Sequence, residues 1–250
     1  MNNKIQIIIL AAGKGNRMQS ELPKALVKVG GKPMIRWILE AIEKSGVDAR
    51  PTIIVGHQRE LILGELGDTY EYIVQEEQLG TGHAVRNAEK ILKNQTDNLM
   101  VLPSDHPFIS SETIKNLAET HLKSGVKITM ATAKLPNFED FREAFYKSFS
   151  RIVRDKKGNI VKDVQFKDAT EEEKKITEIN PIYFCFECSW LWEKIKTLSR
   201  NNAQKEYYLT DLVKIAMQEG RAIESISINP IEALAANSKK ELEILEKFAV

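Results

Sequence analysis

Residues 5–10 form a short apolar run in which four of the six side chains are isoleucine. β-Branched residues favour strands, and a strand that is apolar on both faces is typical of a parallel sheet covered by helices. The segment after such a strand lies at the carboxyl edge of the sheet, where ligands of α/β proteins bind. The run therefore predicts an α/β fold and places a candidate site in the residues that follow it.

Strand and helix patterns alternate along the first half of the chain. Further strands are predicted at residues 52–55, 70–74 and 98–102, and helices at 33–45, 59–66, 84–92 and 111–123. This alternation is typical of a doubly wound sheet. From residue 127 the predicted strands are shorter, at 127–134, 150–154, 160–164 and 178–186, and a hairpin turn is predicted at 157–159.

Composition excludes several classes of protein. With 250 residues, of which 42% are hydrophobic and 28% charged, the chain can bury a large core. The formal net charge of +1 gives no indication of a basic face for nucleic acid, and no apolar run is long enough to span a membrane. The first residues lead into a core strand instead of a signal peptide, which predicts a cytoplasmic protein. Cys185 and Cys188 lack further zinc ligands nearby and are predicted to be buried thiols.

The loop after the first strand combines glycines with positive charge. Gly13 and Gly15 permit close backbone approach to a ligand, and three cations follow within eleven residues: Lys14, Arg17 and Lys24. Such a loop can offset much of the charge of a nucleoside triphosphate. Its spacing matches neither a Walker A loop nor a dinucleotide fingerprint. The alternative is a plain strand-to-helix turn with solvated lysines, and Arg17 and the Pro23-Lys24 pair favour the triphosphate.

Two more segments follow predicted strands. Gln75 comes directly after the strand at 70–74, and its amide offers the donor and acceptor that suit the imide edge of uracil. Gly80, Thr81 and Gly82 are expected to leave backbone groups open where the next helix starts. Asp105 follows the strand at 98–102, where by itself it suits an Asx turn before Pro107.

These motifs resemble a known family. The pattern L-A-A-G-x-G-x-R-M followed by P-K, together with residues 75–84, is similar to the nucleotidyltransferases that join a sugar 1-phosphate to a nucleoside triphosphate and release pyrophosphate. Within them, the chain looks most like the uridylyltransferase domain of bacterial N-acetylglucosamine-1-phosphate uridylyltransferase. The resemblance implies a Rossmann-like, mostly parallel sheet flanked by helices, with a smaller β-rich portion that binds the sugar. It implies a single domain of residues 1–250, divided into a nucleotide-binding half (1–126), a sugar-binding half (127–236) and a C-terminal helix (237–250).

The resemblance also assigns roles to individual residues. Lys24 and Arg17 are expected to act on the reacting phosphates. Asp105 and Asn237 are expected to hold Mg²⁺, although Asn237 alone would equally suit an N-cap of a helix at 238–247. Nucleotide binding is expected at Leu10, Ala11, Ala12, Gly13, Lys14, Gly15, Gln75, Gly80 and Thr81, and sugar binding at Ser150, Gln165, Asn180, Tyr208 and Thr210. His83 is expected to pack or cap a helix and to have no catalytic role.

Departures from the family concentrate in the sugar-binding half. Ser150 stands where the family has a glycine, Gln165 where it has a glutamate, and Asn180 is followed by Pro181 instead of threonine. Residues 135–149 form a longer stretch whose four phenylalanines predict an added amphipathic helix, either packing or acting as a lid.

The expected function is transfer of UMP from UTP to a sugar 1-phosphate, with N-acetylglucosamine 1-phosphate as first candidate. Three alternatives stay open. The nucleotide could be dTTP, the acceptor could be another sugar or alcohol phosphate, or the chain could be a regulatory protein that binds nucleotide without catalysis. No nucleic-acid or membrane partner is expected, and the oligomeric state is open.

Overall fold

A computed structural model describes residues 4–13 and 22–249. The predicted loop residues Lys14, Gly15 and Arg17 therefore lie outside the described part of the chain. The strands are β1 (Ile5–Ala11), β2 (Lys28–Val29), β3 (Lys32–Pro33), β4 (Thr52–Val55), β5 (Glu71–Val74), β6 (Asn98–Pro103), β7 (Ile128–Lys134), β8 (Ser150–Arg154), β9 (Ile160–Val164), β10 (Glu178–Asn180), β11 (Phe184–Glu187) and β12 (Ile223–Ile228). The helices are α1 (Met34–Ser45), α2 (Arg59–Leu66), α3 (Thr81–Asn87), α4 (Glu89–Leu92), α5 (Ser111–Ser124), α6 (Glu143–Tyr146), α7 (Glu171–Lys174), α8 (Cys188–Lys194), α9 (Asp211–Gln218) and α10 (Lys239–Glu246).

The central sheet confirms the predicted fold class. Ten strands lie in the order β5-β4-β1-β6-β11-β7-β10-β8-β9, with β12 paired to β7, and β2 and β3 form a separate small ribbon. Strands β5, β4, β1 and β6 are all parallel, whereas β11, β10 and β9 run antiparallel to their neighbours. The carboxyl ends of the four parallel strands meet at one edge, as expected from their patterning.

Alternate side chains of β1 enter two different cores. Ile7 and Ile9 pack in one cluster with the apolar faces of α1 and α5, while Ile8 packs in a second cluster with residues of α3, α8 and α9. A strand buried on both faces needs this layered arrangement, because successive side chains point to opposite faces of the sheet. The predicted hairpin at 157–159 is confirmed by the antiparallel pairing of β8 with β9.

The single strand predicted at residues 178–186 is wrong, because the chain breaks there into β10 and β11. Pro181 has no backbone N–H to donate to a ladder, and Ile182 adopts the left-handed conformation with a φ of 65°. The Asn180 side chain stabilises this turn by accepting a hydrogen bond from the Ile182 amide at 2.7 Å. The break moves the chain from pairing with β7 and β8 to pairing with β6 and β7.

Two helix predictions also need correction. The helix predicted at 84–92 starts earlier, at Thr81, and is divided into α3 and α4 at Ala88. The added helix predicted within 135–149 is only a 3-10 turn at Asp140–Arg142 followed by the single turn of α6. This stretch is packed: Phe145 is fully buried, and the buried Arg151 guanidinium donates to the carbonyls of Phe149 (2.8 Å) and Tyr146 (2.5 Å).

Asn237 is predicted to be either a Mg²⁺ ligand or the N-cap of the C-terminal helix, and the start of that helix decides against the N-cap. Ser238 is the N-cap of α10, and its hydroxyl accepts from the Glu241 amide at 3.2 Å. The helix-cap alternative for Asn237 is therefore wrong.

Cys185 and Cys188 are buried thiols, as predicted. Within residues 4–13 and 22–249, none of the helices has the length and apolar character that crossing a membrane requires.

Candidate active site

A cleft of about 570 Å³ lies at the carboxyl edge of the parallel strands. Many of the predicted site residues line it: Leu10, Ala12, Gly13, Lys24, Gln75, Gly80, Thr81, Asp105, Ser150, Gln165, Asn180 and Asn237. Three other predicted site residues, Ala11, Tyr208 and Thr210, do not line the cleft because they are buried in the protein. The fold thus brings residues from both halves of the chain to one cavity.

Some lining residues were missed by sequence reasoning. They are Gln78, Ala84, Pro103, Ser104, His106, Ser148, Phe149, Ile182 and Glu206. His106 directly follows Asp105, so its position at a strand end was a usable signal. Phe149 and Ile182 carried no such signal, because a packed phenylalanine and an isoleucine after a proline look like ordinary core residues.

Lys24, Asp105 and Asn237 form a cluster in the cleft. The Lys24 ammonium contacts the Asp105 carboxylate and lies 2.6 Å from the Asn237 side-chain oxygen. The side chains of Lys24 and Asp105 are only 15% and 14% exposed. Burial raises the pKa of the Asp105 carboxyl, but the Lys24 ammonium, together with His106 and a backbone hydrogen bond, outweighs burial and holds that pKa below its usual value. Asp105 is therefore an anion at neutral pH.

The oxygens around Lys24 fit a divalent cation. A carboxylate oxygen of Asp105 and the amide oxygen of Asn237 already converge on one positive centre, the lysine ammonium. Oxygen donors of this kind suit Mg²⁺, which commonly takes one or two protein ligands and completes its shell with phosphate oxygens and water. In the described part of the chain no three His, Cys, Asp or Glu side chains cluster as a metal site of their own.

Gln75 is fixed at the other end of the cleft. Its side-chain nitrogen lies 3.3 Å from the Gly80 carbonyl and 3.0 Å from His83 Nδ1. Burial lowers the pKa of His83, so the neutral ring can accept at Nδ1. Because both partners take hydrogens from the Gln75 amide nitrogen, its Oε1 is the atom left for a ligand. His83 thus orients Gln75, a role more specific than the packing or capping expected of it.

Residues 79–82 dock against residues 207–209. Gly80 has a φ of 106°, and a Cβ at this position would lie 2.7 Å from the Tyr207 carbonyl oxygen. The Gly82 amide donates to that same carbonyl at 2.8 Å, so the expectation that it stays open is wrong. The Thr81 hydroxyl accepts from the Leu209 amide at 3.1 Å. These bonds attach the nucleotide-binding half to the wall that carries Glu206.

The opposite wall of the cleft comes from β8, β9 and β10. The Asn180 amide nitrogen donates to the Asp163 carboxylate at 2.6 Å, and Gln165 donates to the Thr210 hydroxyl at 3.0 Å. Burial raises the pKa of Asp163 to about 7, helped by the nearby Asp211. Among the described residues, three buried oxygens have no hydrogen-bond partner: Ser150 Oγ, Asp163 Oδ1 and Tyr208 Oη. This wall is polar, and its Asp163 carboxyl is buried.

A lysine, a carboxylate and an oriented glutamine amide line a cleft at the carboxyl edge of the parallel strands, which is where α/β proteins bind nucleotides. Residues 7–208 match the MobA-like NTP transferase domain, and the chain belongs to that family. It is 40% identical over 240 residues to the bifunctional protein GlmU of Caldanaerobacter subterraneus subsp. tengcongensis and 41% identical over 242 residues to that of Clostridioides difficile, in each case across 96% of this chain. The similarity is to the N-terminal uridylyltransferase half of GlmU, as the motifs predict.

The chain spans about half the length of these curated relatives, 50% in both cases. A crystal structure from Bacillus anthracis, described as a glucose-1-phosphate thymidylyltransferase in complex with sucrose, superposes with a TM-score of 0.79. The superposition covers 98% of this chain and 95% of that one, at 17% sequence identity. Likeness at this identity confirms the fold.

Proposed function

We propose that this protein transfers UMP from UTP to a sugar 1-phosphate, giving a UDP-sugar and pyrophosphate. The observation that carries the proposal is the joint placement of Lys24, Asp105 and Asn237 in one cleft with Gln75. A lysine next to oxygen donors that fit a divalent cation suits the reacting phosphates, and an oriented amide suits the base. The relatives named GlmU make N-acetylglucosamine 1-phosphate the first acceptor to test.

In the proposed reaction an oxygen of the sugar phosphate attacks the α-phosphorus of UTP. A new P–O bond forms as the bond from the α-phosphorus to the bridging oxygen of pyrophosphate breaks. No side-chain nucleophile is required, because the attacking phosphate is already ionised at neutral pH. Rate enhancement comes from positioning and from neutralisation of negative charge.

Lys24 is the described cation best placed for that neutralisation, with Arg17 as a second expected contributor in the preceding loop. When substrate enters, the Lys24 ammonium can exchange its contacts with Asp105 and Asn237 for contacts with phosphate oxygens. Asp105 and Asn237 would hold Mg²⁺, which supplies further positive charge next to the phosphates. Leu10, Ala12 and Gly13 form the adjoining edge of β1, against which the nucleotide would lie.

Gln75 supports uracil as the base. Its free Oε1 can accept the imide N–H of uracil, whereas cytosine presents a ring nitrogen without hydrogen at the same place. Thymine shares the imide edge of uracil, so dTTP stays within the proposal as an alternative nucleotide.

The polar wall of β8–β10 favours one alternative acceptor. Ser150 and Gln165 replace residues that the resembling family uses for the sugar, and Asp163 adds a buried carboxyl behind them. A different sugar or alcohol phosphate in the same reaction is therefore the second candidate. A regulatory protein that only binds nucleotide is the third.

A pyrophosphate-release assay separates these candidates. Purified protein is incubated with each of UTP, dTTP, CTP, ATP and GTP against a panel of sugar and alcohol phosphates. Release with UTP and an N-acetylhexosamine 1-phosphate supports the proposal, and release with another acceptor supports the second candidate. Nucleotide binding by calorimetry without release from any pair supports the regulatory protein. Lys28→Gln is the matched control for Lys24→Gln, because Lys28 is exposed and lies nearby in sequence.

A further inference from the structure

His106 has a ring nitrogen that the proposed reaction does not use. The residue lines the cleft directly after Asp105 and is 4% exposed. Its Nδ1 lies 2.9 Å from the Tyr183 hydroxyl, and that hydroxyl donates its hydrogen to the Glu232 carbonyl at 2.6 Å. A tyrosine hydroxyl has a single hydrogen, so it accepts from His106 Nδ1–H. The proton of the neutral ring is therefore on Nδ1, and Nε2 carries a lone pair.

The lone pair on Nε2 is available beside Asp105. Nε2 lies 3.7 Å from Asp105 Oδ1, and no hydrogen bond to it is found among the described residues. The ring cannot easily turn away, because edge contacts with Phe149 and Tyr183 hold it at centroid distances of 5.6 and 5.4 Å. The Asp105 carboxylate has His106 on one side and, at Oδ2, the Lys24 ammonium that Asn237 also contacts.

This arrangement is the one that metal-bound histidines adopt. Such a histidine donates one ring N–H to an oxygen, which fixes the tautomer, and binds the metal through the other nitrogen. Two ligands at right angles around an ion, each about 2.1 Å from it, lie about 3 Å apart. A small rotation of the Asp105 side chain would bring its carboxylate from the present 3.7 Å to that distance from His106 Nε2, with the histidine ring held in place.

We propose that His106 is a further ligand of the cation site formed by Asp105 and Asn237, and that the site therefore prefers a first-row transition ion over Mg²⁺. Mg²⁺ favours oxygen donors, whereas an imidazole nitrogen raises the affinity for transition ions. The meaning of this preference for catalysis rests on the proposed function, but the ligation itself does not.

Electron spin-echo envelope modulation on bound Mn²⁺ tests the ligation directly. The probe is Mn²⁺ alone, added to the full chain at a loading set by a binding titration. We expect ¹⁴N modulation in the unlabelled protein and its replacement by a ¹⁵N pattern when histidine is ¹⁵N-labelled. The labelled unmodified protein gives this reading without any substitution, so a variant that fails to fold does not remove the test.

Two histidine variants complete the experiment. His106→Gln should abolish the nitrogen modulation and weaken Mn²⁺ binding about tenfold or more, with a smaller effect on Mg²⁺ competing for the site. His57→Gln is the control, since His57 is exposed, and it should change neither. Three outcomes would overturn the inference. Mn²⁺ binding could depend on Asp105 while the spectrum shows no modulation from a histidine nitrogen, the modulation could persist in His106→Gln, or the protein could fail to bind Mn²⁺.

The outcomes also separate this inference from the proposed function. If nitrogen modulation is seen but no tested pair of nucleotide and acceptor gives pyrophosphate, the cation site is supported and the proposed uridylyltransferase activity is rejected. Pyrophosphate release together with Mn²⁺ that has only oxygen ligands would retain the enzyme and reject His106 as a ligand.

Discussion

The Asn237 side-chain oxygen lies 2.6 Å from the Lys24 ammonium, although 213 residues separate the two in sequence. Asn237 is held there by the start of α10, where its own amide donates to the Glu241 carboxylate at 2.6 Å while Ser238 caps the helix. The cluster in the cleft therefore depends on α10 docking against β2. This one contact orients both Lys24, which would meet the phosphates, and Asn237, which would hold the metal.

Loss of Lys24 or of Asp105 should abolish most turnover. We expect Lys24→Gln and Asp105→Asn each to lower kcat by about two to four orders of magnitude. Lys24→Gln removes a positive charge from the reacting phosphates, and Asp105→Asn removes a carboxylate that would hold Mg²⁺. Pyrophosphate release measures the rate, and circular dichroism and the Tm check the fold. Lys28→Gln should keep full activity. Turnover that persists unchanged in EDTA would contradict the metal-dependent mechanism.

Base selectivity should depend on Gln75 and on the histidine that orients it. Gln75→Ala removes a polar partner worth about 1–3 kcal/mol, so the preference in kcat/KM for UTP over CTP should fall about tenfold or more. His83→Leu should reproduce part of this loss, because the Gln75 amide then lacks its partner at Nδ1. Equal use of CTP and UTP by the unmodified protein would reject uracil recognition.

The pH dependence of stability should reveal the buried carboxyl of Asp163. Its pKa of about 7 in the folded protein lies above the ordinary value of 3.8, so its protonated form favours folding. This contribution to the free energy of unfolding is fully present below about pH 4 and is lost as the pH rises through 7. Asp163→Asn mimics the protonated acid and should be relatively more stable at high pH.

Between pH 5 and pH 8 the Asp163→Asn variant should gain about 2–3 kcal/mol relative to the unmodified protein, at about 1.4 kcal/mol for each pKa unit. Urea unfolding at the two pH values measures the difference. Asp68→Asn, at an exposed position, should give the same small change at both. A stability difference for Asp163→Asn that does not vary with pH would show that the carboxyl is not titrating in this range.

Acceptor choice should follow Ser150 and Gln165. Gln165 now donates to the Thr210 hydroxyl at 3.0 Å, and a glutamate could instead accept from that hydroxyl. The pair Ser150→Gly with Gln165→Glu should raise kcat/KM for N-acetylglucosamine 1-phosphate relative to other hexose 1-phosphates. If the unmodified protein already prefers this acceptor and the double variant only has a lower kcat/KM, the two residues do not set the choice of acceptor.

The parallel half of the sheet was predictable because its signals are local. Strands β1, β4, β5 and β6 are short apolar runs, and helix α2 coincides with its predicted range of residues 59–66. The carboxyl-edge position of Gln75 and Asp105 followed from the order of the strands alone. The break between β10 and β11 was missed because residues 178–186 are otherwise strand-like. Pro181 was the local sign against one continuous strand, and the left-handed backbone at Ile182 is visible only in the structure.

The predicted helix within residues 135–149 was wrong for a different reason. Four phenylalanines at helical spacing suggested a regular amphipathic helix, but only a 3-10 turn and a single helical turn form there. The four rings pack in different places: Phe138 against the Arg151 guanidinium, Phe141 against Phe248, and Phe145 against Phe149. Periodicity records which side chains are apolar, and the length of a helix is decided by the surface against which it packs. The Arg151 guanidinium supplies donors for the backbone carbonyls that such a short helix leaves unpaired.

The sequence by itself determined the fold class, the edge at which the site lies and most of the residue types that line it. Apolar periodicity and residues at strand ends are local properties, and the parallel topology converts them into a shared edge. Only the tertiary structure decided which groups are in contact: Lys24 with Asn237, Asp163 with Asn180, and His106 with Tyr183. The last of these contacts also sets the tautomer of His106. Each of these contacts joins distant segments through packing and burial, and none of them leaves a signal in the residues on either side.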